Sequence, residues 1–117
     1  METVIVDSGA SGIYLTPTAT FTDINTAAPN INVVTASGTR YTTSSSCNLQ
    51  LPTIPVRGGH ILPGFQHNLL GIGPLCNRGC KVIYDKHVVH ILDETSKVLL
   101  QGWREPTGTR LWRFSLK

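Results

Sequence analysis

The feature that most constrains the fold is the division of the sequence into many short runs of β-branched and aliphatic residues, separated by clusters of Gly, Pro, Asn and Ser. Such runs are typical of strands joined by turns, whereas the spacing of an amphipathic helix is nearly absent. A chain of 117 residues is long enough for one domain with one modest core. The sequence therefore predicts a single all-β domain over residues 1–117, built as a barrel or a sandwich.

One short helix is the exception to this pattern. Pro74 is favourable in the first turn of a helix, and Gly79 is a common residue just beyond the last turn. We therefore expect a helix of about two turns near residues 72–79.

The residues between the runs predict how the strands are connected. Residues 16–30 are rich in Thr, Ala, Asn and Pro and indicate a surface connection. Residues 31–51 predict one long hairpin with its turn at 36–39. A flexible break is expected at 57–59, between two short apolar pieces. The four runs within residues 81–116 predict a meander of three or four strands.

The charge of the chain says little about partners. The net charge is +3 and the pI is about 9.0, but the basic residues are scattered. A loose set near the end of the chain permits nucleic-acid contact without predicting it: Arg104, Arg110, Arg113 and Lys117. The sequence contains neither an apolar stretch of membrane-spanning length nor a secretory signal, so no membrane partner is expected. Three cysteines without a disulfide pattern favour reduced thiols and a cytoplasmic location.

The candidate chemistry lies at the end of the first run. Val4, Ile5 and Val6 predict a buried strand, and Asp7 follows it directly, ahead of Ser8 and Gly9. A carboxylate in this position is costly to ionise unless it is hydrogen-bonded or paired. One interpretation is a structural Asp that caps a turn, and the other is the catalytic turn of an aspartic protease.

A second motif favours the protease. The sequence contains Asp-Ser-Gly-Ala at 7–10, a glycine-tipped hairpin at 36–39 and Asn-Leu-Leu-Gly at 68–71, in that order, and a short predicted helix follows them. In this order the chain resembles the retropepsins, the aspartic proteases of retroviruses and retrotransposons. Residues 60–85 resemble more specifically the protease of Copia-type retrotransposon polyproteins, and the likeness covers roughly residues 3–92.

This resemblance implies an acid-protease barrel that acts as an aspartic endopeptidase on a retrotransposon polyprotein, in the cytoplasm or inside virus-like particles. Two carboxyl groups held close together share one proton and activate the attacking water, without a metal or an organic cofactor. The sequence has only one Asp-Ser-Gly, so the second carboxyl must be Asp7 of another chain. We therefore expect a homodimer with its catalytic centre on the two-fold axis.

The same resemblance assigns roles to matched residues. Asp7, Ser8 and Gly9 would form the catalytic turn, and Gly71 would let its segment pack closely behind that turn. Ala10 and Ser11 would contact substrate. The hairpin tip would close over the bound peptide as a flap, and its residues are Ala36, Ser37, Gly38 and Thr39.

The chain also departs from many retropepsins. Ser11 and Gly12 stand where acids are common, and Ile72 stands where Arg is common, so the usual ion pairs between subunits are not expected. Only six residues precede Asp7, too few for a long N-terminal dimerisation strand. We therefore expect residues 93–117, beyond a protease core at 1–92, to supply part of the interface. The residues proposed for it are Val98, Leu99, Leu100, Trp103, Leu111, Trp112 and Phe114.

Two further alternatives stay open. Cys76, Cys80, His87 and His90 could bind zinc, although their spacing fits no standard finger. A catalytically silent domain could instead hold a peptide through its sheet edge and flap without cutting it. We favour the protease, which requires no metal ligand.

Overall fold

The computed structural model describes residues 2–19, 21–51, 53 and 55–116, which contain twelve strands and one helix. The strands are β1 (Thr3–Asp7), β2 (Ile13–Leu15), β3 (Phe21–Asn25), β4 (Ile31–Val34), β5 (Arg40–Thr43), β6 (Ser46–Gln50), β7 (Pro55–Ile61), β8 (Leu69–Gly71), β9 (Lys81–Tyr84), β10 (Val88–Leu92), β11 (Val98–Arg104) and β12 (Trp112–Ser115), and the helix is α1 (Gly73–Asn77). The prediction of an all-β protein is confirmed.

Strand β1 lies near the middle of a ten-stranded mixed sheet, whose order is β3-β6-β7-β2-β8-β1-β12-β11-β10-β9. It pairs in parallel with β8 and antiparallel with β12. Strand β2 pairs with the other side of β8 and, in parallel, with β7. The pairing with β12 ends at Ile5, so the end of β1, where Asp7 lies, is held on the β8 side alone.

Strands β4 and β5 form a separate antiparallel hairpin, in which Val33 pairs with Tyr41 and Val34 with Arg40. The core lies under the large sheet, and its fully buried side chains come from distant parts of the chain, including Val4, Ile13, Leu70, Ile91 and Phe114. The segments 1–92 and 93–117 therefore share one hydrophobic core.

The short helix was predicted correctly near residues 72–79. Pro74 lies in its first turn, where the missing N–H costs nothing. Gly79 has a φ of +83°, which glycine adopts without strain, and its N–H bonds to the carbonyl of Cys76 at 3.0 Å. The helix has five residues and is thus shorter than the two turns expected.

Three predicted connections were wrong. The interval 16–30 contains strand β3 as well as loop, and its Thr20 lies outside the described residues. The hairpin that begins at Ile31 ends at Thr43, because the following strand β6 leaves it and pairs with β3 and β7. Residues 57–59 do not form a flexible break between two strands but lie within the single strand β7. Pairings between segments distant in sequence, β3 with β6 and β2 with β7, contribute to these differences.

The C-terminal meander is confirmed with four strands, since β9, β10, β11 and β12 pair consecutively and antiparallel. Its last strand continues into the pairing with β1. Phe114 is fully buried in the core, so its assignment to a subunit interface was wrong. Val98, by contrast, is 51% exposed.

Candidate active site

Asp7 is the last residue of β1 and marks the point where a buried strand becomes an exposed turn. Val4, Ile5 and Val6 are buried, Asp7 is partly exposed, and Ser8 and Gly9 are exposed. The N–H of Gly9 donates to Oδ1 of Asp7 at 2.8 Å, and the N–H of Ala10 donates to the carbonyl of Asp7 at 3.3 Å. The carboxylate is therefore oriented by its own turn while it stays accessible.

Gly71 supports this turn from behind. It is the register partner of Asp7 across the parallel strands β1 and β8, and its N–H donates to the carbonyl of Gly12 at 2.9 Å. A Cβ atom at position 71 would lie 2.6 Å from the carbonyl oxygen of Ala10. Only glycine fits this close approach.

Asn68 ties the neighbouring strands together. Its buried side chain accepts the N–H of Thr16 at 2.9 Å and donates to the carbonyl of Thr3 at 3.0 Å. Its own carbonyl accepts the N–H of Ile5 at 2.8 Å. One residue of the Asn-Leu-Leu-Gly segment thus fixes the spacing between β1 and the chain that follows β2.

A cleft of about 500 Å³, which we call the hairpin cleft, lies between the Asp7 turn and the β4–β5 hairpin. Of the predicted site residues, Asp7, Gly9, Ala10, Ser11 and Ala36 line it. Clefts of this size suit several side chains of an extended peptide. The structure therefore brings the predicted turn and one residue of the predicted flap to a common cavity.

The remaining flap residues lie elsewhere. Ser37, Gly38 and Thr39 are exposed at the hairpin tip and do not line the cleft. The tip is closed by a bond from the N–H of Thr35 to the carbonyl of Thr39 at 3.0 Å, and Gly38 has a φ of +86°. The tip is thus a compact turn that projects past the rim of the cleft.

The sequence did not identify several residues that complete the hairpin cleft. These residues are Tyr14, Val33, Val34, Phe65 and Leu69. Phe65 also contacts Tyr41 edge to face, with ring centroids 5.1 Å apart, and so joins the hairpin to the loop before β8. The exposure of Val34 could not be predicted from the sequence, because it depends on where the hairpin packs.

 Val34 lines the hairpin cleft and is 57% exposed, which leaves this apolar side chain of the hairpin available to a ligand.

Ser8 faces a different cavity, which we call the Ser8 cleft. It has a volume of about 490 Å³ and is lined by Ser8 and Asp7 together with apolar and aromatic residues, including Leu69, Tyr84, Leu111 and Trp112. Tyr84 and Trp112 pack edge to face, with ring centroids 5.1 Å apart. Burial raises the pKa of Tyr84, and the nearby Asp7 carboxylate and Cys76 raise it further. Asp7 thus lies between two cavities, one under the hairpin and one beside the C-terminal meander.

The zinc alternative gains no support from the geometry. Across the described residues, no three side chains of His, Cys, Asp or Glu lie close enough together to hold a metal ion. All three cysteines are free. Cys47 is buried, and this burial raises the pKa of its thiol to about 11.

Two of the C-terminal arginines are engaged within the protein. Arg113 forms an ion pair with Glu105 and donates to Oγ1 of Thr3 at 2.8 Å. The guanidinium of Arg104 lies over the ring of Trp112, 5.2 Å from its centroid. Lys117, the last member of the proposed basic set, lies outside the described residues.

Comparisons of the chain with family models, with curated proteins and with solved structures found no match. In the part of the chain that the structure describes, no helix is long and apolar enough to cross a membrane.

Proposed function

We propose that this protein is an aspartic endopeptidase in which Asp7 activates the attacking water. The observation that carries this proposal is the position of the Asp7 carboxylate, oriented by the Gly9 N–H and open to a cleft that a β-hairpin covers. A peptide held in that cleft would bring its backbone carbonyl next to a carboxylate, which is what acid–base hydrolysis of an amide requires. The resemblance to retropepsins, including their barrel and their Copia-type polyprotein substrate, belongs to this proposal.

The mechanism needs a second carboxyl group. Among the described residues that line the hairpin cleft, Asp7 is the only acid. One carboxyl cannot serve as base and acid at the same moment, whereas two that share a proton can do so. The proposal therefore includes a homodimer, with Asp7 of each chain beside a common two-fold axis.

The Ser8 cleft supports this arrangement. It adjoins Asp7, and the partly buried Leu111 and Trp112 line it. Burying such side chains against a second copy would be favourable by roughly 25 cal/mol per Å² of apolar surface. Of the apolar residues that the sequence indicated for the interface, these two share a cleft with Asp7.

The decisive experiment is incubation of the protein with a proteome-derived peptide library at several pH values, followed by mass spectrometry of the products. We expect cleavage that a pepstatin-like transition-state mimic inhibits and a chelator does not. Inhibition by a chelator that zinc reverses would contradict the carboxyl mechanism. Peptide binding without cleavage at any pH would favour the catalytically silent binding module.

A further inference from the structure

A third cavity, which we call the basic cleft, adjoins the hairpin cleft. It has a volume of about 680 Å³ and lies between the exposed Arg57 on β7 and two residues on the other side, Pro74 in α1 and Arg78 just beyond its end. Tyr14 and His60 also line it. None of the described residues around this cleft is acidic, and two of them, Arg57 and Arg78, are basic.

The basic cleft and the hairpin cleft share Ser11 and Tyr14. Tyr14 and His60 are register partners on the parallel strands β2 and β7, and their rings stack with centroids 6.2 Å apart. The Tyr14 hydroxyl is 3.2 Å from Oγ of Ser11. A peptide that leaves the hairpin cleft past Ser11 therefore enters the basic cleft directly.

An irregularity in β7 places Arg57 at this cleft. Cys47 pairs with Gly59 and Leu49 pairs with Val56, so two residues of β7, Arg57 and Gly58, stand opposite one residue of β6. Such a bulge bends the strand and redirects a side chain, and Gly58 accommodates it with a φ of +83°. Within the described residues, no hydrogen bond or ion pair involves the Arg57 guanidinium.

We propose that the basic cleft is a subsite for an acidic residue of the bound substrate peptide, whose carboxylate Arg57 binds and the charge of Arg78 attracts. This inference rests on the proposed function and adds a substrate preference to it. A guanidinium matches a carboxylate in shape as well as charge and binds it through two N–H groups. The acidic residue lies a few positions from the scissile bond, because an extended peptide covers about 3.3 Å per residue as it passes from one cleft to the next.

The test is a positional scan of a peptide that the wild-type protein cleaves. Each position from five before to five after the scissile bond is replaced in turn by Asp and by the nearly isosteric Asn. We expect one position at which Asp raises kcat/KM about fivefold over Asn, mainly through KM. The double variant Arg57→Gln with Arg78→Gln should lose that preference, while the charge-conserving pair of Lys substitutions should keep part of it. Lys86→Gln, which removes a charge from an exposed turn elsewhere, should leave the preference unchanged.

A binding measurement separates this inference from the proposed function. Fluorescence anisotropy measures how tightly the protein binds two pools of decapeptides, which differ only in whether one fixed position holds Asp or Asn. If the wild-type protein cleaves the peptides, the Asp7→Asn variant is used in its place. Tighter binding of the Asp pool that depends on Arg57 and Arg78 would support the subsite even if no peptide is ever cleaved. Equal binding of the two pools, or a scan without any preference for Asp, would overturn it.

Discussion

Asp7 and Gly71 are register partners across β1 and β8, and the backbone behind the Asp7 turn leaves no room for a side chain at position 71. Gly71→Ala would force the turn away from β8, because the added Cβ would meet backbone carbonyls that cannot move separately. We expect a loss of about 1–3 kcal/mol in the free energy of unfolding and a loss of activity. Urea denaturation measures the first, and peptide cleavage the second.

Gly73→Ala is the matched control for that variant. Apart from its chain neighbours and the backbone of α1, no atom lies within 4 Å of a Cβ built at position 73, and the residue is at the start of α1. Its stability should fall by less than that of Gly71→Ala, since the new Cβ crowds only the ring of Pro74, which follows it. Equal stability of the two variants would contradict the close packing behind Asp7.

Asp7→Asn should abolish cleavage while the fold is retained. Asn keeps a carbonyl oxygen that can accept the Gly9 N–H, so the turn needs no rearrangement. We expect a decrease of at least about 100-fold in kcat, the scale of acid–base catalysis. Glu94→Gln, at an exposed position, is the control for loss of one negative charge. If Asp7→Asn cuts at a comparable rate, another group activates the water.

The plot of cleavage rate against pH should be bell-shaped. The active form holds one proton between two Asp7 carboxyls, so activity is lost when that proton leaves and also when a second one binds. A profile of kcat/KM against pH on one peptide measures both limbs. A rate that stays constant from acid to neutral pH would speak against a carboxyl pair.

Leu111→Glu should weaken the homodimer and, with it, activity. Leu111 lines the Ser8 cleft and is only partly buried, so the monomer can expose the new charge, whereas the interface would have to bury it. Sedimentation across a concentration series should show a dissociation constant raised at least about tenfold. The wild-type dimer itself should be insensitive to salt, because apolar burial is not screened.

Ile24→Glu is the control for this change, since Ile24 is a 54% exposed aliphatic residue on β3, at the far edge of the sheet. It should leave dimerisation unchanged. Truncation before residue 98 would be a poorer test, because it removes β12 from β1 and Phe114 from the core. A wild-type protein that is fully active as a monomer would exclude the shared pair of carboxyls.

Because of Asp93, the free energy of unfolding should depend on pH in the acid range. Its carboxylate accepts bonds from the Thr95 hydroxyl and from the N–H groups of Thr95 and Lys97, which lower its pKa below the ordinary value of 3.8. A group with a lowered pKa in the folded state stabilises the fold above its unfolded pKa, and this contribution is lost as the pH falls through the folded value. Asp93→Ala should therefore lower Tm at pH 7 but much less at pH 2. A difference in Tm that is independent of pH would refute this.

Local sequence was sufficient for the features that depend on neighbouring residues. The β-branched run before Asp7, the turn at Gly9, the helix between Pro74 and Gly79 and the four-strand meander all follow from propensity and turn chemistry. These features need no knowledge of what lies across the sheet. The all-β class and the position of Asp7 between a buried strand and a turn could therefore be predicted from the sequence.

Tertiary structure decided the features that depend on which distant segments pair. Strand β6 leaves the hairpin for β3 and β7, Phe114 enters the core, and Tyr14 becomes a wall between two clefts. The propensity of a segment to form a strand does not select its partner, because the ladder bonds are made by the backbone. The sequence by itself therefore determined the strands and the turn that carries Asp7, and only the packing of the sheet decided which side chains share a cavity with it.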